Sequence, residues 1–255
     1  MQDQPRLYVD PALATLRVDE LLPMREDHAH YLGRVLRRGP GDGVRLFNAR
    51  DGEWQAAIES LPRREPGRFR LTALLRPPAP EAGPLLLFAP VKRDATDLVV
   101  RMATELGVSE LRPVLTERTN TARVNVDRLR AIAIEAAEQC ERLGVPAIAA
   151  PQRLAWVLSE WPQDRTLHAA IERLPSAQRP VDPISAEAPA GALLIGPEGG
   201  FTPLELDALR GRPFVTAISL GPRILRAETA AVAGLSCLQA ARERWGLAPD
   251  ATASH

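Results

Sequence analysis

The sequence predicts an α/β protein: a mainly parallel sheet covered by helices, preceded by a small β-barrel. Three observations predict it. Hydrophobic periodicity changes at Leu85, from short apolar runs broken by turns to strands alternating with helical stretches. The change follows Arg76-Pro77-Pro78-Ala79-Pro80-Glu81-Ala82-Gly83-Pro84, where four prolines in nine residues make a stiff linker. Near the C-terminus two apolar runs end in the same way, in Gly196-Pro197-Glu198-Gly199-Gly200 and in Gly221-Pro222-Arg223. Each opens a strand-to-helix junction, the place where open α/β sheets bind small ligands.

Before the linker, Val9, Ala14–Leu16, Val44–Phe47, Gln55–Ile58 and Phe69–Leu74 read as strands. Gly39–Gly43 and Ala49–Gly52 read as turns, and one helix runs from about Asp27 to Arg37. After it, Leu85–Pro90 is a buried-strand run. Asp94–Leu106 is a helix ending at Gly107. Leu111–Leu115 is a strand, and Asp127–Leu143 is a helix with Leu129, Ile132, Ala136 and Cys140 on one face. Pro146–Ile148, Thr166–Ile171, Ala192–Ile195 and Val215–Leu220 are further strands, and Leu154–Trp161 is a helix. Thr202, Pro203 and Glu205 form an N-cap, N1 and N3 set. A helix of small residues runs from about Ala227 to Trp245. The expected domains are a barrel at 1–76, a linker at 77–84, an α/β domain at 85–247 and a disordered tail at 248–255.

The 255 residues carry no net charge and no apolar run long enough to span a membrane. Met1–Arg6 lacks the basic start and apolar stretch of a signal peptide, so a cytoplasmic protein is expected. Cys140 and Cys237 sit in helical patterns and read as small buried residues. His28, His30, His168 and His255 have no metal-ligand spacing, so no metal is expected; surface or barrel packing suits them. Lys92 is the single lysine among 32 basic residues. Arg34 to Arg76 holds ten arginines against five acids, a local excess consistent with nucleic acid.

The glycines around Pro197 let backbone approach a ligand, and successive free N–H groups there suit an anion or a carboxylate. No Gly-Lys-Ser/Thr follows and no Gly-x-Gly-x-x-Gly opens a βαβ unit, which disfavours nucleotide and dinucleotide enzymes. Arg223 and Arg226 precede a helix whose first turn holds Glu228, and cations there ask for an anionic partner. Glu138 and Arg142 are four apart and read as a helix-face pair. Lys92-Arg93-Asp94 and Thr116–Asn120 also follow strands, so four loops of one sheet edge carry polar groups.

At these residues the chain resembles the RsmE family of bacterial 16S ribosomal RNA methyltransferases, of the SPOUT superfamily. The matching segments are Leu32–Phe47, Lys92–Val108, Thr116-Glu117-Arg118, Glu138–Arg142 with Pro146, Leu193–Phe201 and Leu220–Thr229. The resemblance implies a SPOUT-type parallel sheet with a C-terminal trefoil knot, preceded by a PUA-like barrel that helps hold RNA. It implies methyl transfer from S-adenosylmethionine to N3 of a uridine in 16S rRNA, and a homodimer. Cofactor contacts are expected at Leu194, Ile195, Gly196, Pro197, Gly200, Leu220, Gly221, Pro222 and Leu225. Arg226 ranks first as a catalytic residue, with Glu198 ahead of Glu228 as general base. RNA contacts are expected at Arg34, Arg37, Arg38, Arg118 and Arg142. Two departures stand out: Met102 where the family usually has lysine, and Glu141 where it usually has glycine. A related knotted methyltransferase acting on tRNA or another base atom, or a silent RNA-binding module, are the alternatives.

Overall fold

The computed structural model describes residues 4–62, 65–79, 82–120, 123–171 and 191–244. The expected tail at 248–255 and the end of the last helix at Trp245 lie outside these residues. The chain divides into two compact units, residues 1–81 with 137–145, and residues 82–136 with 146–254.

The first unit contains β1 (Arg6–Tyr8), β2 (Leu21–Pro23), α1 (Glu26–His30), β3 (Gly43–Asn48), β4 (Gly52–Ser60) and β5 (Arg68–Arg76). After α1, Tyr31–Val35 continue as a π-helical turn. The strands form one sheet in the order β1-β3-β4-β5-β2, with β1 parallel to β3 and the other pairs antiparallel. No pairing among the described residues joins β1 to β2, so the expected barrel is an open five-stranded path. Its two edge strands are three residues long, and register shifts between β4 and β5 mark bulges that bend the sheet. Leu32, Leu46, Ile58, Phe69 and Leu71 fill its core.

Ala14–Leu16 is not a strand. The Arg50 guanidinium donates to the Pro11 and Ala14 carbonyls, and Asp51 accepts from the Leu16 N–H. Side chains thus satisfy backbone groups that a ladder would otherwise pair.

One buried carboxylate organises this unit. Glu53, 1% exposed, faces Arg6 at 3.3 Å, Arg76 at 3.2 Å and Arg45 at 3.6 Å. The Arg6 guanidinium lies 3.4 Å from the Phe47 ring centroid and donates to the Ala137 and Arg142 carbonyls at 2.7 Å. The Tyr8 N–H donates to Glu138. These bonds place residues 137–145 in the first unit.

The second unit contains β6 (Leu85–Phe88), α2 (Arg93–Glu105), β7 (Glu110–Leu115), α3 (Val126–Gln139), β8 (Ala147–Ile148), β9 (Gln152–Arg153) and α4 (Leu154–Ser159). Then follow β10 (Leu167–Ala170), β11 (Ala192–Ile195), α5 (Pro203–Arg210), β12 (Val215–Ile218) and α6 (Ala227–Arg244). The sheet runs β12-β10-β11-β6-β7-β8, with β9 also on β7, and every pairing is parallel. A parallel sheet covered on both faces needs continuous apolar strands. Leu85–Phe88 and Ala192–Ile195 are accordingly buried at every position.

Leu87, Ala169 and Leu194 point to α4 and α5, where Val157, Leu158 and Leu209 meet them. On the other face α6 lies against β11 and α2. A Cβ at Gly234 would stand 2.6 Å from Leu193, so glycine at this position permits the close packing of α6 on β11.

Three expectations need correction. α3 ends at Gln139, because Glu141 takes a φ of 59°. Arg142 therefore lies beyond the helix, and Glu138 receives the Tyr8 N–H from β1. Cys140 and Cys237 are both exposed, the first past the helix end and the second on the outer side of α6. His168, 1% exposed, is buried in the parallel sheet, away from any surface and outside the β-sheet unit that packs His28.

Candidate functional site

Beyond the C-terminal ends of β10, β11 and β12 lies a cavity of about 460 Å³. Ligand sites commonly have this size and sit at this edge of an open α/β sheet. Ile171, Ile195, Phe201, Leu206, Leu220 and Leu225 give it apolar walls. Arg118, Glu198, Ser219 and Arg223 supply its polar groups.

The loop after β11 forms one wall. Pro197 O accepts from Gly200 N–H at 2.8 Å, and Gly200 has a φ of 67°. A Cβ at Gly196 would meet the Phe201 ring at 2.9 Å, so the ring can close over the strand end only because that residue is glycine. The loop then enters α5 through a complete capping box. The Glu205 N–H donates to Thr202 Oγ1, and Glu205 Oε2 accepts from the Thr202 N–H. The other oxygen of Glu205 accepts from the Glu117 N–H at 2.8 Å, which ties the turn after β7 to the same helix end. In that turn Arg118 donates to the Gly199 carbonyl at 2.7 Å.

The loop after β12 forms the opposite wall. Its Gly221 has a φ of 112°, and its N–H donates to Ser219 Oγ. The N–H groups of Glu198, Gly199 and Leu220 make no hydrogen bond among the described residues. Each stands on a loop that lines the cavity.

Of the expected cofactor contacts, Ile195, Gly196, Pro197, Gly200, Leu220, Gly221 and Leu225 line the cavity. Leu194 does not: its side chain is in the core, and its strand is paired on both sides, with β10 and β6. Pro222 is exposed on the loop and is off the lining. Among the three expected catalytic residues, Glu198 is on the lining. Arg226, exposed, and Glu228, half-buried on the first turn of α6, are not.

Of the expected RNA contacts, Arg118 lies at the cavity, engaged with Gly199. Arg34 and Arg37 are exposed beside the π-helical turn; Arg38 and Arg142 are half-buried. The arginine excess of residues 34–76 is partly neutralised inside its own unit. Arg45 and Arg76 face Glu53, Arg50 holds Asp51, and Arg70 holds Glu59. Arg63 and Arg64 lie outside the described residues.

The sequence reading missed Ile171, Phe201, Leu206, Ser219 and Arg223 as lining residues. Ile171 was findable as the C-terminal end of an apolar strand. Phe201 and Leu206 follow the glycine turn in positions that a capped helix also explains.

A family profile described as an RNA methyltransferase domain matches residues 82–239. Another, described as an RNA methyltransferase PUA domain, matches residues 25–66. The ribosomal RNA small subunit methyltransferase E of Rickettsia conorii is 34% identical over 233 residues, 91% of this chain and 93% of that protein. A Legionella pneumophila chain described as a methyltransferase in complex with the bound cofactor SAM superposes with a TM-score of 0.82. It is 29% identical, over 94% of this chain and 98% of that one. The Neisseria gonorrhoeae ribosomal RNA small subunit methyltransferase E bound to S-adenosyl methionine gives 0.81 at 25% identity, over 93% and 98%. Cavity, sheet and sequence therefore agree that the chain belongs to the RNA methyltransferase family in which the ribosomal RNA small subunit methyltransferases E are found.

Proposed function

We propose that this protein transfers a methyl group from S-adenosylmethionine to N3 of a uridine in 16S rRNA. The carrying observation is the cavity between the Gly-Pro loops after β11 and β12. Its residues fit the methyl donor. Apolar walls at Ile171, Phe201, Leu220 and Leu225 suit an adenine face, and the free N–H groups of Glu198, Gly199 and Leu220 suit its polar edge. Arg118 and Arg223 on the lining suit the carboxylate of its amino-acid end.

S-adenosylmethionine supplies a methyl group on a positively charged sulfur. The protein must align N3 with that carbon and accept the N3 proton, because protonated N3 has no free lone pair. Alignment is worth roughly 7–11 kcal/mol in well-oriented reactions. Glu198 is the carboxylate on the cavity wall, and we assign it the proton. Arg226 stands at the end of the loop that enters α6. From there its guanidinium stabilises the uracil oxygens as N3 loses its proton. Glu228 is the second carboxylate of the same helix start.

The same reading takes the sheet unit of residues 1–76 as an RNA-holding PUA-like domain, the C-terminal loops as those of a trefoil knot, and the working form as a cytoplasmic homodimer. Mass-spectrometric mapping of 16S rRNA after incubation with isotope-labelled cofactor tests the reaction. One labelled 3-methyluridine is expected, and label on another base atom or on tRNA alone rejects it. Single-turnover rates test Glu198 in this role. Glu198→Gln should slow transfer by about 10²–10⁴-fold, the usual worth of a general base, and unchanged rates in Glu198→Gln would remove it from that role.

A further inference from the structure

We propose that a second cavity of the parallel-sheet unit binds a backbone phosphate of the RNA substrate; this rests on the RNA reading above and adds a subsite to it. The cavity, about 360 Å³, opens beyond the end of β6, between the first turn of α2 and the stretch that enters α3. Three guanidinium groups line it, those of Arg93, Arg123 and Arg128, and no carboxylate among the described residues does.

The other polar side chains on its wall are already committed. The Thr96 hydroxyl donates to the Val91 carbonyl and accepts from the Val91 N–H, both at 3.1 Å. Asn125 Oδ1 caps α3 by accepting from the Arg128 N–H at 3.0 Å. Arg128 itself is held by Asp97. What remains is Arg93 and Arg123, both exposed and without an ion-pair partner among the described residues. In the β-sheet unit, by contrast, Arg45, Arg50, Arg70 and Arg76 all face carboxylates.

A wall with charged donors and, among the described residues, no carboxylate selects an anion over a cation. Guanidinium forks match phosphate oxygens two at a time. The floor is apolar, with Val91 at 4% and Leu129 at 1% exposure, and this strengthens a charge pair above it.

Position identifies the phosphate as RNA's own. The Ala89 N–H, at the exit of β6, donates to the Ile195 carbonyl at 2.9 Å, at the exit of β11. The two cavities thus open from neighbouring strands of one sheet edge, and such strands lie about 4.8 Å apart. A strand of RNA with its target uridine at the mouth of the first cavity can lay an adjoining phosphate in the second.

The test uses the full chain. Phenylglyoxal modification of Arg93 and Arg123, read by mass spectrometry, is compared with no addition, with a short oligouridylate and with inorganic phosphate. Protection by the oligonucleotide and not by equimolar phosphate is expected. Equal modification in all three overturns the proposal, and equal protection by free phosphate overturns its RNA assignment. In a second measurement, the Arg93→Gln/Arg123→Gln variant binds 16S rRNA across a potassium chloride series. The slope of log K against log salt should fall in magnitude by about 0.7–0.9 for one lost phosphate contact. Calorimetric affinity for S-adenosylhomocysteine should stay at the wild-type value. A slope equal to wild type overturns the proposal. These outcomes are independent of which base becomes methylated, so the reaction assigned above can fail while the phosphate subsite stands.

Discussion

The Arg118 guanidinium donates to the carbonyl of Gly199 at 2.7 Å, across the end of the strand that separates their loops. Arg118 follows β7, Gly199 follows β11, and β6 lies between them in the sheet. Gly199 belongs to a turn whose internal support is the Gly200-to-Pro197 bond. A charged side chain from two strands away therefore sets the shape of a wall of the larger cavity.

Removing that brace should loosen the wall before it affects the fold. A hydrogen bond from a charged donor is worth about 1.5–3 kcal/mol when shielded and less when exposed, as Arg118 is. Arg118→Ala should weaken S-adenosylhomocysteine binding by roughly five- to tenfold, near 1 kcal/mol, with little change in melting temperature. Arg118→Lys, which keeps one donor, should recover part of the affinity. Calorimetry decides, and wild-type affinity in Arg118→Ala would show that the carbonyl needs no brace.

Gly196 makes a sharper prediction. A methyl group there would stand 2.9 Å from one Phe201 ring carbon and 3.0 Å from another. Phe201 is buried and carries part of the core shared with Leu209 and Phe214, so it has little room to retreat. Overpacking of this kind typically costs about 1–3 kcal/mol. Gly196→Ala should lower the unfolding free energy by that amount and weaken cofactor binding at least tenfold. The compensating variant Gly196→Ala/Phe201→Leu should regain stability. If Gly196→Ala melts and binds like wild type, the ring is not what requires glycine.

What the sequence made legible follows from where the determinants are local. Leu85–Phe88 and Ala192–Ile195 read as buried strands because a parallel sheet leaves no face for polar residues. The capping box of Thr202 and Glu205 is four residues long and fully encoded there. The loops after β11 and β12 were legible through their glycines. The misread features depend on distant partners. α3 stops early and its end joins the first unit because Arg6, some 130 residues upstream, takes two carbonyls there. β2 is three residues long and takes its register from β5, which no local pattern announces. The second oxygen of Glu205 reaches the turn after β7, so one capping residue also shapes the site.

Glu141 offers a gain. Its φ of 59° is left-handed, a region that costs a residue with a side chain roughly 1–2 kcal/mol. The family resemblance expects glycine at this position, and the backbone shows why. The hydrogen bond made here is through the main chain, with Arg76 donating to the Glu141 carbonyl at 2.7 Å, and survives substitution; the carboxylate adds only a minor charge interaction with Arg6. Glu141→Gly should therefore stabilise the protein. The extra freedom of glycine in the unfolded chain, about 0.4–1 kcal/mol, offsets part of the gain. A net rise of about 0.5–1 kcal/mol in urea unfolding is expected. A lower urea midpoint would mean that the Glu141 side chain makes an interaction worth more than its backbone strain.

His168 should make stability depend on pH in a defined window. It is 1% exposed, both ring nitrogens lack a hydrogen-bond partner among the described residues, and burial holds its pKa below the ordinary value. Above about pH 6.5 the residue is neutral in both folded and unfolded chains and contributes no pH dependence. Below that value the unfolded chain gains a proton that the folded chain refuses. Stability then falls with pH, by up to about 1.4 kcal/mol per unit, until the depressed folded pKa is reached. His28 acts in the same direction, its pKa lowered by burial and partly restored by Asp27. The depressed carboxyls of Asp27 and Asp51 act below their ordinary value of 3.8 and leave this window clear. His168→Leu removes two unpaired nitrogens while keeping an apolar side chain of similar bulk beside Gly191 and Leu238. Urea unfolding at pH 7.5 and 5.5 should show a smaller loss in His168→Leu than in wild type, with the residual slope due to His28. Parallel losses in the two proteins would mean that His168 takes up its proton as readily folded as unfolded.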